Sequence, residues 1–471
     1  MTLFKPFGAL LVLSGAVLPV VGEAADDAAA LRAELQALNS DYTARLATLE
    51  ARITQLESGA SSAATLSVAN AAVPSATSGP GPGSPAARSS AAAFNPAISL
   101  IFAGNYANVS EDPESWQIAG FIPSGSEVGP GERSFNLGES ELAIGASVDP
   151  YFSANLIAAI TGEDEIEVEE AYFRTLALPR GFTAKGGRFF SSFGYLNEVH
   201  AHAWDFVDQP LAYQAFFGNQ LAQDGVQLKW LAPTDLYIEL GAETGNGQAF
   251  PGTRLGRNGM NGATAFAHFG GDVGDSTSWR AGASWLDQRA EERTYEDVDD
   301  LGAPVLNAFT GKSRTWVIDA TLKWAPSGNV ARQQLKVQGE YMRREETGDL
   351  TFDVEGLALS DAYRSEQSGW YLQSVYQFRP RWRVGLRYDA LDSGSPEIGL
   401  VGSGALPPEA FPALVPADPD RVTLMLDWNP SEFSRLRAQY AWDDARDAQD
   451  RDRQFMLQYL FGIGAHGAHK F

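Results

Sequence analysis

Two histidines in one short segment are the residues of this chain best suited to bind a metal ion. The sequence has five histidines and no cysteine, and four of the histidines form the pairs His200/His202 and His466/His469. On an extended segment, residues two apart point to the same side, so His200 and His202 can approach one ion, and imidazole suits Zn²⁺. Two ligands are a weak signal, because free loop histidines are commoner than ligands. We therefore expect no required cofactor, with Zn²⁺ at His200 and His202 as the alternative.

The sequence gives little support for catalysis, nucleic-acid binding or nucleotide binding. No nucleophile, histidine and acid fall together on one face of the predicted strands, so we do not expect an enzyme. The formal charge of -24 and the pI near 4.6 exclude a nucleic-acid partner, since phosphate binding requires a basic surface. No phosphate-binding glycine motif stands between a strand and a helix.

The first 94 residues divide into three segments. Residues 1–24 have a lysine, an apolar run and small residues before Ala24, the pattern of a cleaved signal peptide. Residues 25–57 repeat leucine at spacings of three and four, which predicts a coiled-coil helix, although a helix that docks on another protein fits the same pattern. Residues 58–94 are Ala, Ser, Gly and Pro with almost no charge, so we interpret them as a linker.

From residue 95 to residue 471 the hydrophobic period is two. Trp316, Ile318, Ala320, Leu322 and Trp324 alternate with polar residues, and other segments of about ten residues repeat this pattern with aromatics near their ends. A soluble β-sandwich also alternates, but its bulky residues lie centrally. Aromatics make up 11% of a chain whose mean hydropathy is -0.19, as expected when aromatic girdles border a barrel with a polar lumen.

The connections between these segments alternate between short and long. We place short turns at Asp149–Pro150, Pro179–Gly181, Pro233–Asp235, Gly270–Ser276, Ala325–Arg332, Pro380–Arg381 and Asn429–Ser431. The long connections are polar and often acidic, and we assign Glu291–Glu292, Glu296–Asp300 and Glu345–Glu346 to them. Seven short turns join eight hairpins. The predicted fold is therefore an all-β transmembrane antiparallel barrel of about 16 strands, with both ends in the periplasm and Phe471 as a signal for the outer-membrane assembly machinery.

The loop between the fifth and sixth strands, residues 192–223, is unusually aromatic. Trp204, Asp205, Phe206 and Asp208 lie in it, and we expect this third loop to fold into the barrel and narrow the pore. Alternation also assigns charged residues to the lumen. The basic ones are Arg174, Arg188, Lys229, Arg280, Lys323, Lys336, Arg383, Arg387, Arg435 and Arg437, and the acidic ones are Glu139, Glu141, Glu170, Glu239, Glu243, Asp319, Glu340, Asp389 and Asp427. This mixture leaves anion and cation selectivity open.

Short motifs resemble those of a known porin group. The segment from Gly187 to Gly194 and the segment from Glu169 to Arg174 are similar to segments of the phosphate-selective porin O and P superfamily. The stretch from His200 to Pro210 and the C-terminal eight residues resemble a subgroup often labelled zinc-regulated or TonB-dependent. A TonB-dependent transporter has a plugged barrel of about 22 strands, which the linker and 16 strands of this chain cannot supply. The resemblance implies a passive, trimeric porin.

These observations predict a porin-like channel in the bacterial outer membrane for small hydrophilic solutes or ions. The expected partners are membrane lipid, lipopolysaccharide, two further copies of the chain and the assembly machinery. Two alternatives remain. One is a metal-linked uptake protein that uses His200 and His202, and the other is a structural tether in which the coiled coil and linker join the outer membrane to the cell wall.

Overall fold

The computed structural model describes residues 96–125, 128–160, 165–253, 258–446 and 451–464. The predicted signal peptide, coiled-coil helix and linker lie outside the described residues, as do His466, His469 and Phe471. Among the described residues, no helix has the length and apolar character needed to cross a membrane.

The described part of the chain is built mainly from strands. They are β1 Ala97–Val109, β2 Ser134–Leu137, β3 Ser140–Ser147, β4 Phe152–Ile160, β5 Ile166–Thr175, β6 Phe182–Phe190, β7 Ala222–Leu231, β8 Tyr237–Gly245, β9 Gly262–Val273, β10 Thr277–Val298, β11 Pro304–Trp324, β12 Gln334–Phe352, β13 Leu359–Arg379, β14 Trp382–Asp392, β15 Glu397–Ile398, β16 Asp420–Ser431, β17 Ser434–Asp443 and β18 Asp452–Gly464. The described residues form two α-helices, α1 Leu211–Phe217 and α2 Gly399–Gly402. Short 3-10 turns lie at Pro113–Ser115, Pro179–Gly181, Ala201–Ala203, Pro408–Ala410 and Pro412–Leu414.

The strands close into one antiparallel barrel. Sixteen strands form its wall, and the short β2 and β15 are added against β1 and β13 near the long connections. Closure is made by β1 and β18, which pair antiparallel from Ser99 with Gly464 to Val109 with Gln454. The predicted 16-stranded barrel is confirmed. Ser99 and Gly464 lie at the edge that carries the short turns, here called the turn side; the opposite edge is the loop side.

The outer surface of the barrel is an apolar band bordered by aromatic rings. On β11, Trp316 and Ile318 are 56% and 62% exposed, whereas Val317 and Asp319, which alternate with them, are buried. Trp285 contacts Trp316 in a tilted arrangement toward the loop side, and Trp382 stacks on Trp428 toward the turn side. Trp324 is eight positions after Trp316, a distance of about 26 Å along a strand. At a strand tilt of ~40° this distance corresponds to about 20 Å across a membrane. The outer face therefore matches the hydrocarbon layer that an outer-membrane barrel spans.

Four strands on one side of the barrel extend far beyond this band. β10 to β13 have 22, 21, 19 and 21 residues. The prediction that Glu291–Glu292 and Glu345–Glu346 lie in loops was wrong, because Glu291 and Glu292 belong to β10 and Glu345 and Glu346 to β12. Their charges outside the membrane resemble loop composition, but the strands continue through them. Glu345 and Glu346 pair with β11, and Glu291 and Glu292 form a bulge between the paired residues Ala290 and Arg293. Glu346 faces inward and is buried against Arg293, with Oε1 2.8 Å from Nη1.

Two predicted turns are shorter than expected. Gly270–Val273 continues β9, so the turn contains Gly274 to Ser276, and Asn429–Ser431 continues β16. Pro430 is tolerated there because a shift in register separates the pairs Trp428–Leu436 and Ser431–Ser434.

We predict that a charge placed in the apolar band destabilises the barrel strongly. Ala320 faces outward midway between Trp316 and Trp324, and Ala362 faces outward on the extension of β13. Ala320→Arg is expected to lower the free energy of unfolding by about 2–4 kcal/mol, the range for a basic residue at the bilayer midplane. Ala362→Arg, the matched control, is expected to change it by less than about 0.5 kcal/mol. Urea unfolding in lipid vesicles measures both, and an equal loss in the two variants would contradict the assigned band.

Candidate functional site in the barrel lumen

The third loop, residues 191–221, lies inside the barrel. Asn197 joins its two ends, because the side-chain amide donates to the carbonyls of Ser191 and Leu221 at 2.8 and 3.0 Å and accepts from the Leu221 amide at 2.8 Å. The loop contains the 3-10 turn Ala201–Ala203 and helix α1. It leaves and re-enters the wall at one place, so its conformation depends on what it contacts within the lumen.

One side of the loop packs against apolar residues of the wall. Phe193, Leu211, Tyr213, Phe216 and Phe217 of the loop are almost completely buried. Their partners are inward residues of β10 to β14, namely Leu286, Val317, Met342, Tyr371 and Leu391. Apolar residues on the lumen face of these strands interrupt an otherwise polar interior, and burial of large side chains against them holds the loop to this half of the barrel.

Glu340 on β12 organises the start of the loop. Its carboxylate accepts hydrogen bonds from the amides of Tyr195 and Leu196 at 3.2 and 3.1 Å and from the hydroxyls of Tyr213 and Tyr371 at 2.9 and 2.7 Å. Gly194 adopts φ 61° beside it, and a Cβ at that position would lie 2.2 Å from Glu340 Oε2. The close approach of backbone and carboxylate therefore requires glycine there.

Two aspartates of the loop clamp it to basic residues of the wall. Asp205 accepts from Lys336 on β12 and Arg383 on β14, each at 3.0 Å. Burial alone would raise the pKa of Asp205, but the charges of Lys336 and Arg383 hold that pKa well below its usual range. This pair of contacts is called the first clamp.

The second clamp is formed by Asp208. Its carboxylate contacts Arg387 on β14 at 2.9 Å and Arg421 on β16 at 2.8 Å, and Gln439 on β17 donates to it at 2.9 Å. Burial would raise the pKa of Asp208, but Arg421 and Arg387 lower it to about 2. Both clamps therefore stay ionised at neutral pH.

Further arginines bind carbonyls of the loop. Arg437 on β17 donates to the carbonyls of Trp204 and Phe206 at 2.7 and 2.6 Å, while Asp427 on β16 balances its charge at 2.8 Å. Arg435 donates to the His202 carbonyl at 3.1 Å. Most of the basic side chains on β12 to β17 are thereby engaged with the loop or with acids of the wall.

On the opposite side of the lumen, carboxylates of the wall surround two histidines of the loop. His200 Nδ1 lies 3.3 Å from Glu169 and 3.6 Å from Glu141, and its Nε2 lies 3.2 Å from Glu170. His202 Nδ1 lies 2.6 Å from Glu141. Glu169 and Glu170 both reach the lumen because the β4–β5 pairing skips Glu169, a β-bulge that re-aims the side chain.

Among the cavities lined by described residues, two lie beside the loop. The larger, of about 830 Å³, lies toward the turn side and is lined by residues that include Ser99, Tyr172, Tyr237, Ser278 and Arg280. The smaller, of about 160 Å³, lies between the loop and the strands β1 and β18, with Asn105, Glu139, Asp208 and Gln458 in its lining. His202 lines both, so they adjoin along the loop segment that it occupies.

The structure brings most of the predicted lumen residues inside. Arg280 donates to the Gly194 carbonyl at 3.1 Å, Lys229 lies 3.4 Å from Glu198, and Asp319 lies 3.9 Å from Arg280. Arg383, Arg387 and Arg437 hold the loop as described above, Glu170 contacts His200, and Arg174 and Lys323 lie on inward positions of β5 and β11. Trp204, Asp205, Phe206 and Asp208 are inside the barrel. Their effect on permeation stays a prediction.

Arg188 is the exception, and its predicted lumen position was wrong. It pairs with Asp224 at 2.6 Å, and Asp224 shares a strand face with the exposed Val226 and Leu228. Both charged side chains are about one-third exposed and lie on the outside of the barrel near the loop side. Gly187, with φ 128°, comes immediately before Arg188. Polar and apolar residues do not alternate in the run Gly187-Arg188-Phe189-Phe190. The sequence therefore does not show which of these side chains face the lumen.

Sequence reasoning missed Arg421, Arg344 and Glu169. The alternation along β16 identifies Arg421 as a lumen residue. Val422, Leu424 and Leu426 face outward, so Arg421, which precedes Val422, faces inward. Arg344 comes directly before Glu345–Glu346, for which the sequence predicts a loop. It donates to the Ala215 carbonyl at 3.3 Å near the end of α1. Glu169 reaches the lumen through a bulge that no sequence period indicates.

The closed 16-stranded barrel, its apolar outer band with aromatic borders and its polar lumen define the chain as an outer-membrane β-barrel of the porin type. An anion-selective porin from Comamonas acidovorans is similar in structure, with 10% identity, a TM-score of 0.47 and coverage of 79% of this chain and 100% of that chain. The outer-membrane channel DcaP of Acinetobacter baumannii has 12% identity, a TM-score of 0.46 and coverage of 79% and 99%. The trimer form of OmpT of Vibrio cholerae has 12% identity, a TM-score of 0.47 and coverage of 79% and 100%.

No family model matches the chain. The chain belongs to the same family as an uncharacterized protein of Aquifex aeolicus strain VF5, with which it is 34% identical over 358 residues, 72% of this chain and 71% of that protein.

We predict that the second clamp contributes far more to stability than a surface ion pair does. Asp208→Asn leaves Arg387 and Arg421, which are 1% and 2% exposed, without one of their counter-charges. Loss of one partner from a buried pair is expected to cost about 3–5 kcal/mol. Asp224→Asn breaks the exposed pair with Arg188 and should cost no more than about 1 kcal/mol. Urea unfolding in lipid vesicles compares the two variants, and a cost for Asp208→Asn no larger than that for Asp224→Asn would contradict the clamp.

Proposed function

We propose that the protein is a passive channel of the outer membrane that admits small hydrophilic solutes or ions past the inward third loop. The observation that carries this proposal is the pair of cavities left beside the loop within a closed barrel. The larger cavity, of about 830 Å³, has room for hydrated ions and small solutes, and the smaller one, beside β1 and β18, adjoins it at His202. The route past the loop is therefore expected to follow this wall.

We further propose that the channel prefers cations. The larger cavity is lined by five carboxylates, Glu141, Glu170, Glu198, Glu239 and Asp272, and by three basic side chains, Lys185, Lys229 and Arg280. The smaller cavity is lined by Glu139 and Asp208, with no lysine or arginine among its described lining residues. A pore wall with an excess of one charge raises the local concentration of the opposite ion.

The engagement of the basic residues also bears on the phosphate-selective porins that the sequence resembles. A phosphate-selective pore requires basic side chains that are free to contact the anion. Lys336, Arg383, Arg387 and Arg421 instead contact Asp205 and Asp208 of the loop. These contacts leave the four basic side chains engaged, so they favour a porin-type channel that selects solutes other than phosphate.

The remaining expectations stay proposals. A homotrimer in a membrane with lipopolysaccharide, folded by the outer-membrane assembly machinery, suits a barrel of this size. The structural tether depends on residues 25–94, which lie outside the described part of the chain. Metal-linked uptake is favoured as a second candidate by one observation, the grouping of Glu141, Glu169 and His200 on the wall of the passage.

Cation preference is tested by the reversal potential of single channels in a planar bilayer with a KCl gradient. We expect the sign that indicates K⁺ permeating more readily than Cl⁻. Asp272→Asn removes a charge from the wall of the larger cavity and should reduce the preference, whereas Glu366→Gln, on the exposed part of β13, should leave it unchanged. An anion-selective potential in the unmodified protein would overturn the proposed preference, and failure to form any conducting channel would overturn the proposed function.

A further inference from the structure

The group formed by Glu141, Glu169 and His200 has the dimensions of a metal-binding site. One ligand atom from each residue lies within 4.8 Å of the other two. Nδ1 of His200 lies 3.6 Å from Glu141 Oε2 and 3.3 Å from Glu169 Oε2. When a tetrahedral ion binds nitrogen and oxygen at about 2.1 Å, neighbouring ligand atoms are about 3.4 Å apart. The separations around Nδ1 are therefore close to those of a coordination polyhedron.

The other nitrogen of His200 is oriented as it is in metal sites. Nε2 lies 3.2 Å from Glu170 Oε2, while Nδ1 faces the two carboxylate oxygens. A histidine that ligates a metal characteristically bonds a carboxylate through its second nitrogen, which fixes the ring and its tautomer. Likewise His202 lies 2.6 Å from Glu141 Oε1 and leaves Oε2 directed at His200. Both bonds orient ligand atoms toward one point, an observation independent of the separations themselves.

The acidic side chains around the two histidines also favour the binding of a cation. Glu139, Glu141, Glu169 and Glu170 lie around the two histidines, and Lys185 is a further charge near Glu170. Oε1 of Glu139 is buried and accepts no hydrogen bond from any described residue. Four carboxyl groups held this close together repel one another when they are ionised, and a divalent ion among them would relieve that repulsion. The Oε1 of Glu139 is in addition a buried polar atom without a hydrogen-bond partner among the described residues, which is costly.

The group is accessible from the larger cavity. Glu141, Glu170, His200 and His202 all line that cavity, which opens toward the turn side. The bulge that turns Glu169 inward completes the set, since strict alternation would point its carboxylate to the lipid. Imidazole and carboxylate together suit Zn²⁺ and neighbouring divalent transition metals better than Mg²⁺, which prefers oxygen ligands and water.

We propose that Glu141, Glu169 and His200 bind a divalent transition-metal ion of the zinc type in the lumen. Glu170 and His202 orient the ligand atoms, and the ion lies beside the larger cavity, which Glu141 and His200 line. The predicted site composed of His200 and His202 alone is thereby replaced, because His202 turns toward Glu141. Any effect of the ion on permeation rests on the proposed channel, but the binding itself does not.

The test measures Zn²⁺ binding by calorimetry on the detergent-solubilised full chain, with MgCl₂ as the comparison salt. All samples carry His466→Ala and His469→Ala, so the C-terminal histidines add no background. We expect one Zn²⁺ per chain and no comparable Mg²⁺ binding. His200→Gln and Glu169→Gln should weaken Zn²⁺ binding by about 100-fold or more, and Glu170→Gln, which removes an orienting partner, by about 10-fold to 100-fold.

His268→Gln is the matched control. His268 is also buried in the lumen, but its Nδ1 contacts the single carboxylate of Glu239 at 3.2 Å, so this variant should bind Zn²⁺ as the parent does. Absence of Zn²⁺ binding in the parent, or equal affinity in His200→Gln and Glu169→Gln, would overturn the site. Equal affinity in Glu170→Gln would overturn its orienting role.

A second measurement separates the site from the channel. If ZnCl₂ reduces the single-channel current of the parent, and His200→Gln abolishes that reduction, the ion lies on the conducting path as proposed. Stoichiometric Zn²⁺ binding without any conducting channel would leave the metal site standing and refute the proposed function. A conducting channel that binds no Zn²⁺ would refute the site and leave the channel standing.

Discussion

The paired charges of Asp205 and Asp208 with Lys336, Arg383, Arg387 and Arg421 determine how the lumen is divided. A barrel of this strand number would be open without an inserted segment, because its interior is too wide for wall side chains to fill. The loop that enters it carries many large apolar residues, which pack on β10 to β14. Apolar packing alone is not directional. The two clamps set where the loop lies, since a buried carboxylate between cations tolerates little displacement.

The clamps also determine which charged side chains remain accessible to a solute in the lumen. Inward basic side chains of β12 to β17, among them Lys336, Arg387 and Arg437, contact the loop. The space beside β1, β3 and β5 therefore keeps an excess of carboxylates. The division follows from where the loop docks, and the proposed cation preference depends on it, because the list of lumen residues alone contains both signs of charge. It also explains why His200 and His202 meet acids on both sides, as the loop carries them across the lumen toward Glu141 and Glu170.

Alternation along the chain predicts most of this architecture because lipid on one side and water on the other impose a period of two. Trp316 to Trp324 shows the period clearly, and the short turns give the strand number. The same reasoning fails where the local rule is broken. Glu169 reaches the lumen through a bulge, Arg188 follows a glycine in a run without polar alternation, and Glu345–Glu346 lies on strands that continue outside the membrane. The specific pairing of Asp208 with Arg421 depends on how the loop folds in three dimensions, which no local period encodes.

Removal of both clamp charges tests the central claim most directly. Single-channel conductance in a planar bilayer is compared between the unmodified protein and the double variant Asp205→Asn/Asp208→Asn, with Asp224→Asn as a control for a surface charge. If the clamps hold the loop across the lumen, the double variant conducts several-fold more current or shows large openings, while Asp224→Asn behaves as the unmodified protein. Equal conductance in the double variant and the unmodified protein, with both barrels folded, would contradict the account.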